Sequence, residues 1–194
     1  MALPESPAAQ HAAVAGRFAD LVAGVGDWDA ASPVAGWTAR DVVAHLLEWF
    51  PGFLQHFAGV ELAPVDATDP VGSWPVRTAD VQALLDAPDA DGRGVDDPML
   101  GTMTLPEAVA RFYTADVFMH TWDLARASGQ DDRLDADQCA VMLAGMSEME
   151  DAMRGSGQYG PAVDVPADAP AQDRLLGFIG RDPAWRPPRG LTPS

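Results

Sequence analysis

TADVFMHTWDLARASG, residues 114–129, is the stretch that decides the fold. Successive residues of an α-helix are about 100° apart around its axis, so residues four positions apart share a face. Asp116 and His120 therefore lie on one face, together with the apolar residues Met119 and Leu124. An apolar face is typical of a helix that packs against a core. The stretch predicts a buried helix with a carboxylate and an imidazole on its inner side.

Similar periodic patterns lie on both sides of this stretch. The stretch belongs to the third of four principal helices, which begins at the capping box TLPE of residues 104–107 and ends at Gly129. The second helix begins at Thr38, where TARD offers an N-cap hydroxyl and an acidic residue three positions later. We predict the first helix over about residues 8–25 and the fourth over about 135–154.

The sequence between the second and third helices is rich in proline, glycine and aspartate. We interpret residues 58–103 as a long connection across the molecule, interrupted by a short helical segment, TADVQALLDA, at 78–87. A last short helix is expected over DRLLGFIG, 173–180, followed by a tail over 181–194. Pro51 is expected to kink or end the second helix. The sequence therefore predicts an all-α fold, a four-helix bundle with a long crossover connection and a short C-terminal helix.

The composition favours one compact domain without nucleic-acid or membrane partners. The chain has 194 residues, 47% of them hydrophobic, which is enough to bury a core within a single domain, residues 1–194. Its net charge of −17 would repel phosphate backbones and anionic lipids. No apolar run approaches the roughly 18 residues of a membrane span, and no secretory leader is recognisable at the N-terminus. Cys139 is the only cysteine, so a cytoplasmic protein without an intrachain disulfide is expected.

His45 raises the same question on the second helix. It lies three residues after Val42 and four before Trp49, within the apolar stripe of that helix. If the two stripes face each other, His45, Asp116 and His120 converge. Two imidazoles and a carboxylate are a common ligand set for a divalent metal with positions open for water or substrate. The residues alone leave a second interpretation open, in which an Asp-His pair at this spacing forms a hydrogen bond and each histidine is an ordinary core residue.

Three segments of the chain resemble one actinobacterial family in their order and separation. They are GWTARDVVAHLLEW, TADVFMHTWDLARASGQDDRLDADQ and DRLLGFIGRDPAWRP. The family comprises proteins related to mycothiol-dependent maleylpyruvate isomerase, within the DinB-like superfamily. The resemblance implies a DinB-like four-helix bundle whose metal triad is a histidine of the second helix and an acid-x-x-x-histidine pair of the third. Carried onto this chain, the metal ligands are His45, Asp116 and His120.

The resemblance also implies cofactors. The chain itself differs from the family's best-known enzyme in two ways. The ligand set predicts a divalent ion, with zinc preferred and nickel as the alternative, and the resemblance implies mycothiol as an external thiol. The isomerase has glutamate where this chain has Asp116, and it has a second, C-terminal domain that this chain is expected to lack. We therefore expect metal binding and do not transfer maleylpyruvate isomerisation to this chain.

Two classes of function follow from these expectations. The first is a metal-dependent, thiol-dependent transferase or isomerase, in which the metal delivers a thiolate to a small molecule or activates water. The second is a non-catalytic bundle that binds a metal or another ligand. Cys139 lies beside apolar residues and is expected in the core, so the thiol of the first class comes from outside the chain. The expected partners are a small-molecule substrate and a low-molecular-weight thiol, and a homodimer is compatible with the sequence.

Asp123 and several other side chains have alternative roles. Asp123 lies seven residues after Asp116 on nearly the same face, where it orients a ligand imidazole, pairs with Arg126 or caps a neighbouring helix. Three arginines are candidates to bind an anionic substrate or to form surface ion pairs: Arg126, Arg174 and Arg181. Three tryptophans are expected to be core residues in preference to platforms for a substrate: Trp37, Trp49 and Trp122. His11 and His56 are expected at the surface or at a helix end, and Tyr159 is expected to pack within a loop.

Overall fold

The chain folds mostly into helices, with one small antiparallel sheet. The computed structural model describes residues 3–97, 101–155 and 160–188. The predicted helical class is confirmed, apart from two strands that the sequence did not indicate. In chain order the elements are α1 (Pro7–Ala23), α2 (Ala39–Ala58), α3 (Pro70–Leu85), a 3₁₀ turn (Ala90–Gly92), β1 (Gly94–Asp97), β2 (Gly101–Thr104), α4 (Leu105–Ala108), a π-helical segment (Val109–Thr114), α5 (Ala115–Ser128), α6 (Ala136–Ser147), α7 (Glu150–Gly155) and α8 (Ala171–Phe178).

Side-chain caps fix the two predicted helix starts. The hydroxyls of Thr38 and Thr104 each accept a hydrogen bond from the backbone N–H three residues later. In return, Asp41 and Glu107 accept a hydrogen bond from the backbone N–H of the capping threonine, over 2.8 Å in both cases. Each pair satisfies two backbone donors that a helix start would otherwise leave unpaired. The beginnings of α2 and α4 are therefore determined locally.

The helix ends follow the sequence less closely. Gly129 ends α5 in the left-handed conformation, with φ 69°, as predicted. Pro51 does not end the second helix, which continues to Ala58 and ends at Gly59, with φ 63°. The predicted fourth helix over 135–154 is divided into α6 and α7.

Within the described residues, α1, α2, α3 and α5 pack against one another around many of the largest buried side chains. Helix α1 packs against α3 and α5, and α2 packs against the same two helices. Large buried side chains fill the space between them, among them Phe18, Leu46, Trp74 and Trp122. The predicted fourth helix is not a member of this group, because α6 packs mainly against α8, and α3 takes the place beside α1 and α2. Within the described part of the chain, no helix is both long and apolar enough to cross a bilayer.

The segment 58–103 is therefore more than a connection. The short helix expected at 78–87 begins earlier, at Pro70, and is a long helix that packs on two others. The sequence does not predict the full length of α3, because Pro75 lies inside the helix and its buried face includes Arg77 in place of a continuous apolar stripe. After α3, strands β1 and β2 pair antiparallel and lead the chain into α4.

Candidate metal centre

The structure brings the three predicted ligands together between α2 and α5. His45 Nε2 lies 3.2 Å from Asp116 Oδ2, and His120 Nε2 lies 3.5 Å from Asp116 Oδ1. One ligand atom from each residue lies within 4.8 Å of the other two. Atoms bound about 2.1 Å from a tetrahedral zinc ion lie about 3.4 Å from one another. The spacing and the chemistry of these donors therefore fit a divalent metal after only small side-chain shifts.

Local sequence sets the positions of the three side chains. On α5, Asp116 and His120 are one turn apart and point to the same side. On α2, His45 lies about two turns beyond the cap at Thr38, beside the buried Leu46. Directly before α5 the backbone forms the π-helical segment. Such segments are frequent at functional sites, and no sequence signal predicts this one.

One side of the site, here called the α5 wall, consists of His120, Asp123 and Arg181. His120 and Asp123 are buried. His120 Nδ1 lies 2.9 Å from Asp123 Oδ2, and Arg181 donates from Nε to Asp123 Oδ1 over 3.0 Å and from Nη2 to Oδ2 over 3.1 Å. A carboxylate that binds a guanidinium is an acceptor, so Nδ1 of His120 carries the proton and donates it. Nε2 then faces the other two candidate ligands, and the contact of Nδ1 with Asp123 accounts for the orientation of the ring.

The opposite side, here called the α2 wall, consists of His45, Trp37 and Trp49. The His45 side chain is 33% exposed, compared with 7% for His120. The ring centroid of Trp37 lies 5.0 Å from that of His45 and 5.8 Å from that of His120. Trp49 donates from its Nε1 to Asp116 Oδ2 over 2.9 Å. The prediction that these tryptophans belong to the core is confirmed only in part, because both pack against the core but are partly exposed and line the site.

The charges within the site shift one another's pKa. Burial alone would raise the pKa of Asp116, but the His120 and His45 imidazoles and the Trp49 N–H hold it below its ordinary value. Burial alone would lower the pKa of His120, but the carboxylates of Asp116 and Asp123 outweigh burial and raise it. When His120 is protonated on both nitrogens, Nδ1–H faces Asp123 and Nε2–H faces Asp116, so the imidazolium contacts two carboxylates. A divalent cation bound by the same imidazole would displace the proton on Nε2.

The candidate arginines make internal contacts. Arg181 is paired with Asp123, the ion pair that the sequence suggested for Arg126. Arg126 instead pairs with Asp132. Arg174 donates to a backbone carbonyl. None of these contacts indicates an anion-binding surface at the site.

The remaining candidates divide between confirmed and wrong predictions. Trp122 and Cys139 are buried as predicted, and burial raises the pKa of the Cys139 thiol to about 12. His56 is exposed in the last turn of α2, also as predicted. The prediction for His11 is wrong, because it is buried and its Nδ1 lies 2.8 Å from Oε1 of a glutamine on α3. Tyr159 lies outside the described residues.

Comparison with known proteins relates the chain to one family. Residues 11–125 match the family described as the mycothiol maleylpyruvate isomerase N-terminal domain, and this segment contains all three candidate ligands. Two similar proteins of Mycobacterium tuberculosis are the uncharacterized protein Rv0738 of strain H37Rv and the uncharacterized protein MT0763 of strain CDC 1551. Each is 25% identical over 185 residues, which cover 90% of this chain and 97% of the relative. No solved structure gives a significant match.

Proposed function

The chain belongs to the mycothiol maleylpyruvate isomerase N-terminal domain family, and we propose that it binds one divalent metal ion through His45, Asp116 and His120. The observation that carries this proposal is the convergence of two imidazole nitrogens and a carboxylate within 4.8 Å. Zinc is the preferred ion and nickel the alternative, because both accept mixed nitrogen and oxygen ligands. We also propose that the helices form a single DinB-like domain, in which α1, α2, α3 and α5 are the four-helix bundle.

We propose further that the site activates a small external thiol. Three protein ligands leave coordination positions open, and a bound divalent ion lowers the pKa of a thiol or water that enters such a position. The exposed edge of His45 in the α2 wall offers the approach for that ligand. On the other side, the α5 wall keeps Nε2 of His120 directed into the site and excludes water behind it.

The chain has no reactive thiol of its own to serve as the nucleophile. Cys139 is the only cysteine, it is buried on α6, and its pKa of about 12 keeps it protonated. A nucleophilic thiol must therefore be supplied from solution. The name of the family supports mycothiol as that thiol. The resulting function is a thiol-dependent transferase or isomerase that acts on a small molecule.

A non-catalytic metal-binding or ligand-binding protein is the second candidate. It is favoured by the internal contacts of Arg126, Arg174 and Arg181, which leave the proposed site without an arginine to hold an anionic substrate among the described residues. Isomerisation of maleylpyruvate is not part of either proposal.

The test uses cobalt in place of zinc, because cobalt reports its ligands through absorption. Mycothiol, or a simpler thiol at higher concentration, should produce a sulfur-to-metal charge-transfer band in the near ultraviolet, and His120→Ala should abolish it. An electrophile that releases a chromophore on thiol attack then separates the two candidates. Faster conjugation by the metal-loaded protein than by the metal-stripped protein supports a transferase. Identical cobalt spectra with and without saturating thiol would contradict the thiol proposal and leave the metal proposal standing.

A further inference from the structure

The last described segment of the chain is directed back against helix α5. Helix α8 ends at Phe178, and Gly180 then adopts φ 83°. A β-carbon at Gly180 would lie 3.0 Å from backbone atoms of Gly160 and Pro161. Glycine is therefore required both for its left-handed conformation and for its small size. The turn that it makes brings Arg181 to helix α5.

Arg181 holds Asp123 at two points. Its side chain is 15% exposed and that of Asp123 is 1% exposed, so the pair is largely shielded from water. Two parallel N–H donors of a guanidinium fix the plane of a carboxylate, which a single contact does not. The Asp123 oxygen that accepts from Nη2 is also the one that faces Nδ1 of His120. The orientation of this imidazole therefore depends on a residue of the C-terminal segment.

Neighbouring contacts keep that segment docked. Arg126 of α5 donates to the carbonyls of Pro183, over 3.1 Å, and Trp185, over 3.4 Å. The Trp185 side chain packs at the edge of the core. The carboxylate of Asp182 accepts from the N–H of Ala184 over 2.8 Å and tightens the turn between them. Most residues of the string GRDPAW, residues 180–185, therefore help to dock this segment against the rest of the protein.

We propose that Arg181 is a positioning residue for the metal centre, which acts through Asp123 on His120. Docking of residues 180–185 would then complete a site whose three ligands all lie within the family match, residues 11–125. This inference rests on the proposed metal function. It adds to that function a dependence of metal affinity on a residue that lies 58 positions from Asp123 in the chain and touches no ligand directly.

The experiment measures zinc affinity of the full chain by competition with a chromogenic chelator. The variants are Arg181→Gln, Arg181→Lys and the matched control Arg186→Gln. Arg186 directly follows the docking segment, is exposed and donates to nearby backbone carbonyls. We expect Arg181→Gln to weaken zinc binding about tenfold or more. Arg181→Lys should have an intermediate effect, because lysine keeps the charge without the two-point contact, and Arg186→Gln should match the wild type.

A second measurement separates positioning from a purely structural role. A structural role alone would lower the melting temperature equally with and without zinc, whereas a positioning role also reduces the rise in melting temperature that zinc causes. Nitrogen-15 spectra of the histidine rings should show His120 as the Nδ1–H tautomer in the zinc-bound wild type and as a mixture in Arg181→Gln.

Each outcome decides the inference. Equal zinc affinity in Arg181→Gln and the wild type overturns it and leaves the proposed metal function intact. A wild type that binds no zinc overturns both proposals. If Arg181→Gln lacks native circular dichroism, Arg181→Lys replaces it, and equal affinity of that variant and the wild type again overturns the inference.

Discussion

The two walls of the candidate metal centre are built differently. On the α5 wall, buried His120 is held by Asp123, which is itself held by Arg181. On the α2 wall, the His45 side chain is one-third exposed. Among the described residues, its ring has a hydrogen-bond contact with Asp116, which is itself a candidate ligand. If the proposed metal binds, we therefore expect the α5 wall to change little and the α2 wall to adjust.

The largest expected effects are the losses of zinc binding and of stability when His45 or His120 is replaced by alanine. His45→Ala and His120→Ala should each abolish tight zinc binding, because each removes one of three ligands. In the metal-free protein, His120→Ala should cost about 1–3 kcal/mol, because it leaves buried polar groups without their partner. His45→Ala should cost less, about 1 kcal/mol or below, because its side chain is one-third exposed and water can replace much of its hydrogen bond to Asp116.

Titration calorimetry with zinc and urea unfolding of the metal-free variants measure both effects. Equal losses of stability in the two variants would show that the two walls are equally fixed before metal binds.

Trp49→Phe tests the hydrogen bond from Trp49 of the α2 wall to Asp116. This change removes the N–H that donates to Asp116 Oδ2 and keeps an aromatic ring. Zinc affinity should fall about tenfold, as expected for the loss of a hydrogen bond to a charged group. Trp37→Phe is the control, since Trp37 contributes ring contacts to the two imidazoles. A larger loss in the control would mean that ring packing, and not the hydrogen bond, orders this wall.

The pH dependence of stability should reveal the charge of the α5 wall. The pKa of His120 in the folded, metal-free protein is raised above its unfolded value of about 6.5. The stability that this shift contributes is fully present below the unfolded pKa and is lost as pH rises through the folded pKa. Buried His11 gives the opposite sign, because its lowered pKa contributes stability that is lost as pH falls.

Urea midpoints of the metal-free wild type and His120→Gln, measured from about pH 5.5 to about pH 8.5, isolate the His120 effect from that of His11. The wild type should have its greatest advantage at the acidic end. An advantage that does not change with pH would exclude a carboxylate-stabilised proton on His120.

Asp116→Glu should have the smallest effect. The ligand chemistry is unchanged and the α2 wall can take up the extra methylene, so zinc affinity should stay within about fivefold of the wild type. Calorimetry again measures it. Complete loss of binding would show that the α2 wall is as rigid as the α5 wall.

The parts of the molecule that sequence could predict are local. The caps at Thr38 and Thr104 and the end at Gly129 depend on residues a few positions apart. The common face of Asp116 and His120 follows from helical geometry alone. The addition of His45 to this pair required the facing of two helices, which the periodic stripes and the family resemblance suggested together.

The parts that sequence could not predict depend on distant contacts or on backbone irregularity. Asp123 and Arg181 are 58 positions apart, and no periodic pattern relates them. The sequence therefore marks each residue as a candidate but does not predict that they pair. Helix α3 was underestimated because Pro75 and Arg77 interrupt its pattern. The π-helical segment before α5 contains Tyr113, which stacks on Phe50 of α2 with ring centroids 4.0 Å apart, and no local sequence pattern indicates either feature.

The metal content of the wild-type chain tests the central claim most directly. The protein should be purified without a nickel column, dialysed against zinc and then against metal-free buffer, and submitted to elemental analysis. The account predicts about one zinc ion per chain, and it predicts a chelator-treated form that melts at a lower temperature but remains helical by circular dichroism. A chain that keeps intact helical circular dichroism and retains no metal after this treatment would contradict the account.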